Sequence, residues 1–253
     1  MKKLLLVIAA VFIISAAGCK CCWFGEEKTK GEQILAESCK ATDVDGKRGD
    51  IDSVVVVYNS KDSDNAKCQV TFKYQEPEKI RLEVKGRDNM MLRLFDGKEG
   101  WEYITGKNLR PLDKKEIEEM KFQAVYLNPA VDYRKLFAKV KLIGEAEVAG
   151  DMCWQLACTP LKKFKSKNVE IFIDKKSKMI RKTVERLKID NDIVEFVTFF
   201  GDYENIDGIM VPQILVSQID GNPLIESNLV SVHLNISLRR TEFEKPLRLS
   251  NTK

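Results

Sequence analysis

The sequence predicts a mainly β protein in which about eleven antiparallel strands form one sheet and short helices are inserted. The first observation is a period-two alternation of apolar and polar residues, clearest at residues 80–103 and 224–238. A strand with this pattern buries one side and exposes the other. The second is that sequences rich in glycine, asparagine and aspartate separate the apolar runs, as in hairpins. The third is that helical periodicity occurs at only three places.

The stretch from Ile80 to Tyr103 shows the strand pattern most fully. Apolar residues at 80, 82 and 84 alternate with charged ones, and Met90, Leu92 and Leu94 alternate with their neighbours. The sequence Asp96-Gly97-Lys98-Glu99-Gly100 favours a tight turn, because glycine tolerates a positive φ. The alternation then resumes at Trp101-Glu102-Tyr103. This order predicts three half-buried strands joined by tight connections.

Other runs predict the remaining strands. They lie at residues 51–58, 68–74, 141–147, 152–159, 169–174, 179–187, 193–203, 209–219 and 224–238. In the last run, apolar residues at 230, 232, 234, 236 and 238 alternate with polar ones. His233, the only histidine, therefore falls on the polar face, which is typical of a surface residue rather than a catalytic one.

Two helices are predicted between the strand runs. Asp113 and Glu116 form a capping-box pattern that opens a helix through Phe122. Asn128 as N-cap and Pro129 at the first helical position predict a second helix, Pro129 to Ala138. Their apolar sides would cover one face of the sheet.

The amino terminus predicts an export signal over residues 1–18. Two lysines precede an apolar segment, Leu4 to Ile14, which is too short to span a bilayer and is followed by small residues. Small residues directly before Cys19 resemble the lipobox of bacterial lipoproteins, so that Cys19 would become the lipidated first residue of the mature chain. The alternative is ordinary cleavage after Ala17 or Gly18, which leaves Cys19 as a plain thiol.

The signal is followed by a predicted anchored tether at residues 19–30 and a single domain at residues 31–253. The tether is mostly polar. The domain begins with a short amphipathic helix, Gly31 to Ala41, whose Ile34, Leu35 and Cys39 share one face. No boundary splits the rest of the chain.

Charge and cysteine content exclude several functions. The chain has 42 basic and 38 acidic residues, a net charge of +4, which gives no reason to expect a nucleic-acid partner. Cys19, Cys21 and Cys22 crowd the mature terminus, but a lipidated Cys19 cannot ligate a metal as a thiolate, so no metal site or cofactor is predicted.

Outside the cytoplasm a disulfide could join Cys39 to Cys68 or Cys153 to Cys158. The odd spacing of the second pair argues against it on one regular strand.

Four motifs carry a resemblance to a known family. They are Pro77-Glu78-Lys79-Ile80-Arg81-Leu82, Asp96-Gly97-Lys98-Glu99-Gly100-Trp101-Glu102-Tyr103, Phe172-Ile173-Asp174 and Phe243-Glu244-Lys245-Pro246. In order and spacing they resemble the Lol-system lipoprotein carriers and receptors and their lipoprotein-sorting relatives. The resemblance implies an unclosed antiparallel β-barrel covered by helices, with an apolar interior that receives acyl chains. One position departs from the carriers, which have arginine before the proline where this chain has Glu76, so their lid mechanism does not transfer.

The resemblance implies an envelope lipoprotein that binds acyl chains of lipids or lipoproteins, with lipoprotein sorting or transport as its role. Strand alternation gives the candidate cavity-lining residues Leu82, Val84, Leu92, Leu94, Trp101, Tyr103, Ile171 and Ile173, each of which could equally fill a core. Lys20, in place of aspartate after Cys19, favours the outer membrane in a double-membrane bacterium. The alternative is an envelope sensor or scaffold that binds a protein partner on the same fold. No catalytic constellation is present in the sequence, so an enzyme is not expected.

Overall fold

The computed structural model describes residues 28–161, 169–189 and 192–246. It contains the helices α1 (Lys30–Ala41) and α2 (Lys114–Leu127), with short 3-10 helices at Arg48–Asp50, Tyr133–Lys135 and Arg240–Glu242. The strands are β1 (Ser53–Asp62), β2 (Lys67–Gln75), β3 (Lys79–Lys85), β4 (Met90–Phe95), β5 (Gly100–Ile104), β6 (Arg110–Pro111), β7 (Phe137–Val148), β8 (Asp151–Pro160), β9 (Val169–Asp174), β10 (Ile180–Ile189), β11 (Asp192–Ile206), β12 (Ile209–Ile219) and β13 (Asn222–Leu234).

The thirteen strands form one antiparallel sheet in the order β6-β5-β4-β3-β2-β1-β13-β12-β11-β10-β9-β8-β7. The strands β6 and β7 are therefore the two edges, and the sheet is unclosed. Residues 112–136, which include α2, connect one edge to the other. The predicted fold class is confirmed, with thirteen strands instead of about eleven.

The sheet curls around one main core. One continuous cluster of buried residues contains Phe72 of β2, Ile171 of β9 and Val211 of β12, although these strands lie far apart in the strand order. The cluster also contains Ile34 of α1 and Met120 of α2. We call the face that carries this cluster the inner face and the opposite one the outer face.

The first helix closes against edge strand β7. Its N-cap Thr29 and Glu32 form a capping box, and the Thr29 hydroxyl also donates to the Val140 carbonyl at 2.9 Å. Gly31 lies so close to β7 that a Cβ there would stand 2.7 Å from the Leu142 nitrogen. Only glycine permits this approach, which places Ile34 and Leu35 in the core. The predicted helix at 31–41 is confirmed.

The second helix forms where the capping box predicted it and continues to Leu127. The Asp113 carboxylate accepts from the amides of Lys115 and Glu116. Gly100, the last residue of the predicted turn, lies beneath this helix. A Cβ there would stand 2.9 Å from Ile117 Cγ1.

The predicted helix at Pro129–Ala138 is wrong. Asn128 is extended, and its side chain accepts from the Ala130 amide, which makes a turn. Only Tyr133–Lys135 is helical, as one 3-10 turn, and β7 already begins at Phe137. Pairing with β8 claims the end of the predicted helix from Phe137 onward, because it satisfies the backbone of residues at the sheet edge.

The last strand differs from its predicted alternation at one point. A bulge opposite Val57 and Tyr58 shifts the register of β13, so that Val230 is 52% exposed while Leu229 faces inward. The strand ends at Leu234. His233 is exposed, as predicted.

The segment at residues 240–243 packs on the outer face. Phe243 is fully buried, and Glu242 forms an ion pair with Lys73 of β2. The Glu242 carbonyl also accepts from Arg81 Nη1 of β3 at 3.1 Å. The residue directly before the fourth motif is therefore held on the outer face by β2 and β3.

Neither candidate disulfide forms. Cys39, Cys68, Cys153 and Cys158 are all free. Cys158 lies in the inner-face core, whereas Cys153 belongs to a small outer-face cluster with Phe172 and Val184. The odd spacing of the two cysteines thus places them on opposite sides of β8, as the sequence argument required.

Candidate functional site in the half-barrel interior

The burial of apolar side chains on the inner face changes from one end of the strands to the other. Beneath the helices it is packed with buried apolar side chains, among them Val54, Val56, Ile173 and Phe200. Toward the other end of the same strands the apolar side chains are only half-buried. We call this half-buried set the rim; it comprises Val70, Val84, Val194, Phe196, Ile219, Ile225 and Leu229.

Strand register places the rim on the inner face. Val70 and Leu229 both pair with Tyr58, a member of the buried core, and Val70 also pairs with Val84. Phe196 pairs with Ile219 across β11 and β12. Because directly paired residues share a face, the rim continues the core surface to the end of the half-barrel.

A row of hydroxyl side chains lies between the core and the rim. This hydroxyl row crosses five strands and comprises Ser60, Thr183, Thr198, Ser217 and Ser227, all of them buried. Ser60 and Ser227 are 2.8 Å apart, oxygen to oxygen, and Thr198 and Ser217 are 3.4 Å apart. No sequence pattern predicted this row, because isolated serines and threonines in strands are usually assigned to the solvated face.

The predicted cavity-lining residues do not share one face. Leu82 and Val84 pair with Arg93 and Met91 and lie on the inner face. Ile171 and Ile173 belong to the inner-face core. Leu92, Leu94, Trp101 and Tyr103 pair with one another on the outer face. The sequence could not separate the two sets because β4 is buried on both sides, from Met91 to Phe95.

An ionic network that no sequence motif predicted lies on the inner face beneath α2. Arg93 Nε donates to Glu102 Oε2 at 2.7 Å, and these side chains are 3% and 7% exposed. Arg110 Nη2 reaches both Glu102 Oε1 at 2.6 Å and Glu116 Oε1 at 2.7 Å. The network joins β4, β5, β6 and the first turn of α2. The hydrogen bond from Arg110 lowers the pKa of Glu116.

Glu119, on the same helix, is buried beside this network. It is 8% exposed, and its Oε1 has no hydrogen-bond partner among the described residues. Burial raises the pKa of Glu119 to about 7, because the positive charges of Lys115 and Arg93 offset the loss of water only in part. A carboxyl group with a pKa of about 7 therefore lies beside the network.

Glu119→Gln is expected to flatten the dependence of stability on pH. The folded protein keeps the Glu119 proton that the unfolded chain loses, so wild-type stability falls as the pH rises from 4.5 toward 7. The loss amounts to at most about 3 kcal/mol, at 1.36 kcal/mol per pKa unit. Urea unfolding at several pH values measures it, with Glu118→Gln as the control on the same helix. Equal slopes for Glu119→Gln and the wild type would contradict the assignment.

The described residues contain no helix long and apolar enough to cross a membrane. Within ranges 28–161, 169–189 and 192–246, no three or more His, Cys, Asp and Glu side chains are grouped so as to hold a metal ion.

An unclosed half-barrel with helices against its inner face and an apolar rim defines a recognisable fold class. The chain is similar in structure to an outer membrane lipoprotein-sorting protein domain from Vibrio parahaemolyticus, with 13% identity and a TM-score of 0.54 over 85% of this chain and 96% of that one. A LolA superfamily protein from Nitrosomonas europaea has 12% identity and a TM-score of 0.53 over 86% and 99%. A DUF1329 family protein from Desulfovibrio piger has 14% identity and a TM-score of 0.55 over 86% and 98%.

These similarities establish that the chain has the LolA-superfamily fold. No family model matches the sequence, and no curated protein matches it either. The fold resemblance predicted from the four motifs is therefore confirmed at the level of structure.

Proposed function

We propose that the chain is a lipid-anchored protein of the bacterial cell envelope that binds acyl chains of lipids or lipoproteins at the inner face of its half-barrel. Its role would be lipoprotein sorting or transport, without catalysis. The observation that carries the proposal is the rim, which continues the apolar inner face beyond the helix-covered core. The fold shared with a lipoprotein-sorting domain supports the same ligand class.

Hydrocarbon burial alone gives sufficient affinity for this role. Transfer of an acyl chain from water contributes about 0.8 kcal/mol per methylene, so contact with the rim needs no specific polar partner. Of the residues predicted to line the site, Val84 belongs to the rim and Leu82 lies next to it on β3. Ile171 and Ile173 lie deeper, where the core is closed.

The anchor would keep this site near a membrane. Cys19 precedes Lys28, the first described residue, by 28 − 19 = 9 positions. Nine extended residues reach roughly 30 Å. A domain on so short a tether stays close to the bilayer that holds its acyl groups, and the outer membrane is the expected one in a double-membrane cell.

Leu229→Arg is expected to lower acyl-ligand occupancy about tenfold, because a guanidinium group in the rim opposes hydrocarbon burial. Val230→Arg is the matched control, since Val230 is adjacent in sequence but 52% exposed. Native mass spectrometry of the full chain carrying Cys19→Ala, which removes the covalent acyl group, measures bound lipid after extraction from membranes. If the Cys19→Ala protein, with Leu229 unchanged, carries no lipid after extraction, the proposal is refuted.

A second candidate function is protein binding on the same fold, as an envelope sensor or scaffold. The observation that favours it is the continuous core beneath α1 and α2, which fills the helix-covered part of the interior with side chains. If this second function is the correct one, the protein extracted from membranes carries no bound lipid. Crosslinking in envelope preparations would then recover one defined protein partner, whereas the lipid-binding reading expects bound acyl chains.

A further inference from the structure

Edge strand β7 carries lysines and aliphatic side chains that are exposed side by side. Lys139, Lys141, Leu142 and Ile143 are all exposed, and Ile143 is 52% exposed. The register of β7 against β8 shifts between Leu142 and Gly144, so Ile143 is the extra residue of a bulge. A bulged residue is unpaired, and the strand bends there, which re-aims its side chain. The edge of the sheet therefore presents a short surface that is both cationic and apolar.

The first residues of the described chain lie beside this surface and add two lysines to it. The Thr29 hydroxyl donates to the Val140 carbonyl at 2.9 Å, which holds Lys28 and Lys30, on either side of Thr29, near β7. Both lysines are exposed. We call the combined set the β7 edge patch; it comprises Lys28, Lys30, Lys139, Lys141, Leu142 and Ile143. Within the described ranges, none of its four lysines forms an ion pair.

The charge of the β7 edge patch is positive. Its four lysines outnumber the neighbouring carboxylate of Glu32, which accepts from the Thr29 amide at 2.8 Å. The acidic residues of β7, Glu145 and Glu147, follow the bulge, and Glu145 pairs with Lys175. Unpaired lysines around exposed aliphatic side chains are complementary to a bilayer with anionic headgroups, which attracts the charges and accepts the apolar groups just beneath them.

An added strand from a protein partner fits this edge poorly. Gly31 lies so close to β7 that α1 already occupies the edge at Leu142. The bulge at Ile143 also interrupts the regular row of backbone groups that strand addition uses. Lysines and a bulge protect an edge strand from pairing, but protection does not require an exposed isoleucine beside them. The composition of the patch therefore favours a lipid surface over a strand.

We propose that the β7 edge patch is a membrane-contact surface that rests on the anionic face of the bilayer to which the chain is anchored. The lysines lie among the lipid phosphates, and Leu142 and Ile143 reach the boundary between headgroups and acyl chains. Because Lys28 belongs to the patch, the residues that precede it leave the domain on the side that faces the bilayer. The inference rests on the proposed anchor for the choice of bilayer, and its surface is separate from the rim.

Vesicle sedimentation tests this surface without the covalent anchor. The chain from residue 19 onward, carrying Cys19→Ala, is mixed with vesicles of phosphatidylglycerol and phosphatidylethanolamine in about equal amounts, and with vesicles of phosphatidylcholine alone. Lys139→Glu combined with Lys141→Glu is expected to weaken binding to the anionic vesicles about thirtyfold or more, because each lysine near such a surface contributes a factor of about five. Raising the salt to about 1 M should remove most of this difference.

Lys98→Glu combined with Lys107→Glu is the matched control. Both lysines are exposed in turns that flank β5, next to the opposite edge of the sheet, so the same change in net charge should weaken binding less than about threefold. Ile143→Ser is a second variant that leaves the charge unchanged, and it should weaken binding about fivefold. Val230→Ser is its control, since Val230 is also 52% exposed but lies on the outer face of β13.

Equal binding to both kinds of vesicle, or equal losses for the patch and control variants, would overturn the membrane-contact surface. Weak vesicle binding together with crosslinks from Lys139 to one envelope protein would overturn it in favour of a protein partner. The proposed acyl site is tested separately, since native mass spectrometry reports bound lipid whether or not the patch binds vesicles.

Discussion

Cys19→Ala is expected to abolish acylation and to release the protein from the membrane fraction. The Cys19 thiol would be the only attachment point of the acyl groups, and several acyl chains together hold a protein to a bilayer persistently. Incorporation of a clickable palmitate analogue, followed by fractionation, measures both effects. The expected change is from nearly complete labelling to none. Cys19 lies outside the described residues, so this experiment alone tests the anchor.

Cys21→Ala and Cys22→Ala are the matched controls, since both cysteines lie within three residues of Cys19 and neither directly follows the small residues of the lipobox. Both variants should keep the label and the membrane association. A Cys19→Ala chain that still takes up palmitate would show that the acyl group is elsewhere. An unlabelled wild-type chain would favour ordinary cleavage after Ala17 or Gly18.

Glu102→Gln is expected to destabilise the fold by about 3 kcal/mol. The substitution keeps the shape of the side chain but leaves the guanidinium of Arg93, which is 3% exposed, without the carboxylate at 2.7 Å. Removing one partner of a buried ion pair is costly because the remaining charge stays in a medium that solvates it poorly. Urea unfolding measures the loss, which should be accompanied by looser packing of α2, because Glu102 also holds Arg110 at the edge of the sheet.

Glu83→Gln supplies the control for this prediction. Glu83 pairs with Arg81 at 2.6 Å, but both side chains are 24% exposed, so its loss should cost less than about 1 kcal/mol. Arg93→Met combined with Glu102→Met should recover most of the stability, since it removes both buried charges. Similar losses for Glu102→Gln and Glu83→Gln would mean that burial does not set the strength of the network.

The local sequence determined those helices and turns whose capping and turn residues are compatible with the packing around them. The capping boxes at Thr29 and Asp113 open the two helices, and the turn at Asp96–Gly100 closes its hairpin because the Asp96 side chain accepts from the amides of Lys98 and Glu99. The helix at Pro129–Ala138 failed where signals of the same kind competed with strand pairing at the sheet edge.

The sequence by itself determined a large antiparallel sheet with inserted helices, because alternation and capping are encoded within a few neighbouring residues. Which apolar side faces inward was decided only by the tertiary structure. Strand β4 is buried on both faces, and one bulge in β13 exchanges the roles of Leu229 and Val230. The Arg93–Glu102 pair and the hydroxyl row arise from contacts between neighbouring strands, so they exist only once those strands have paired.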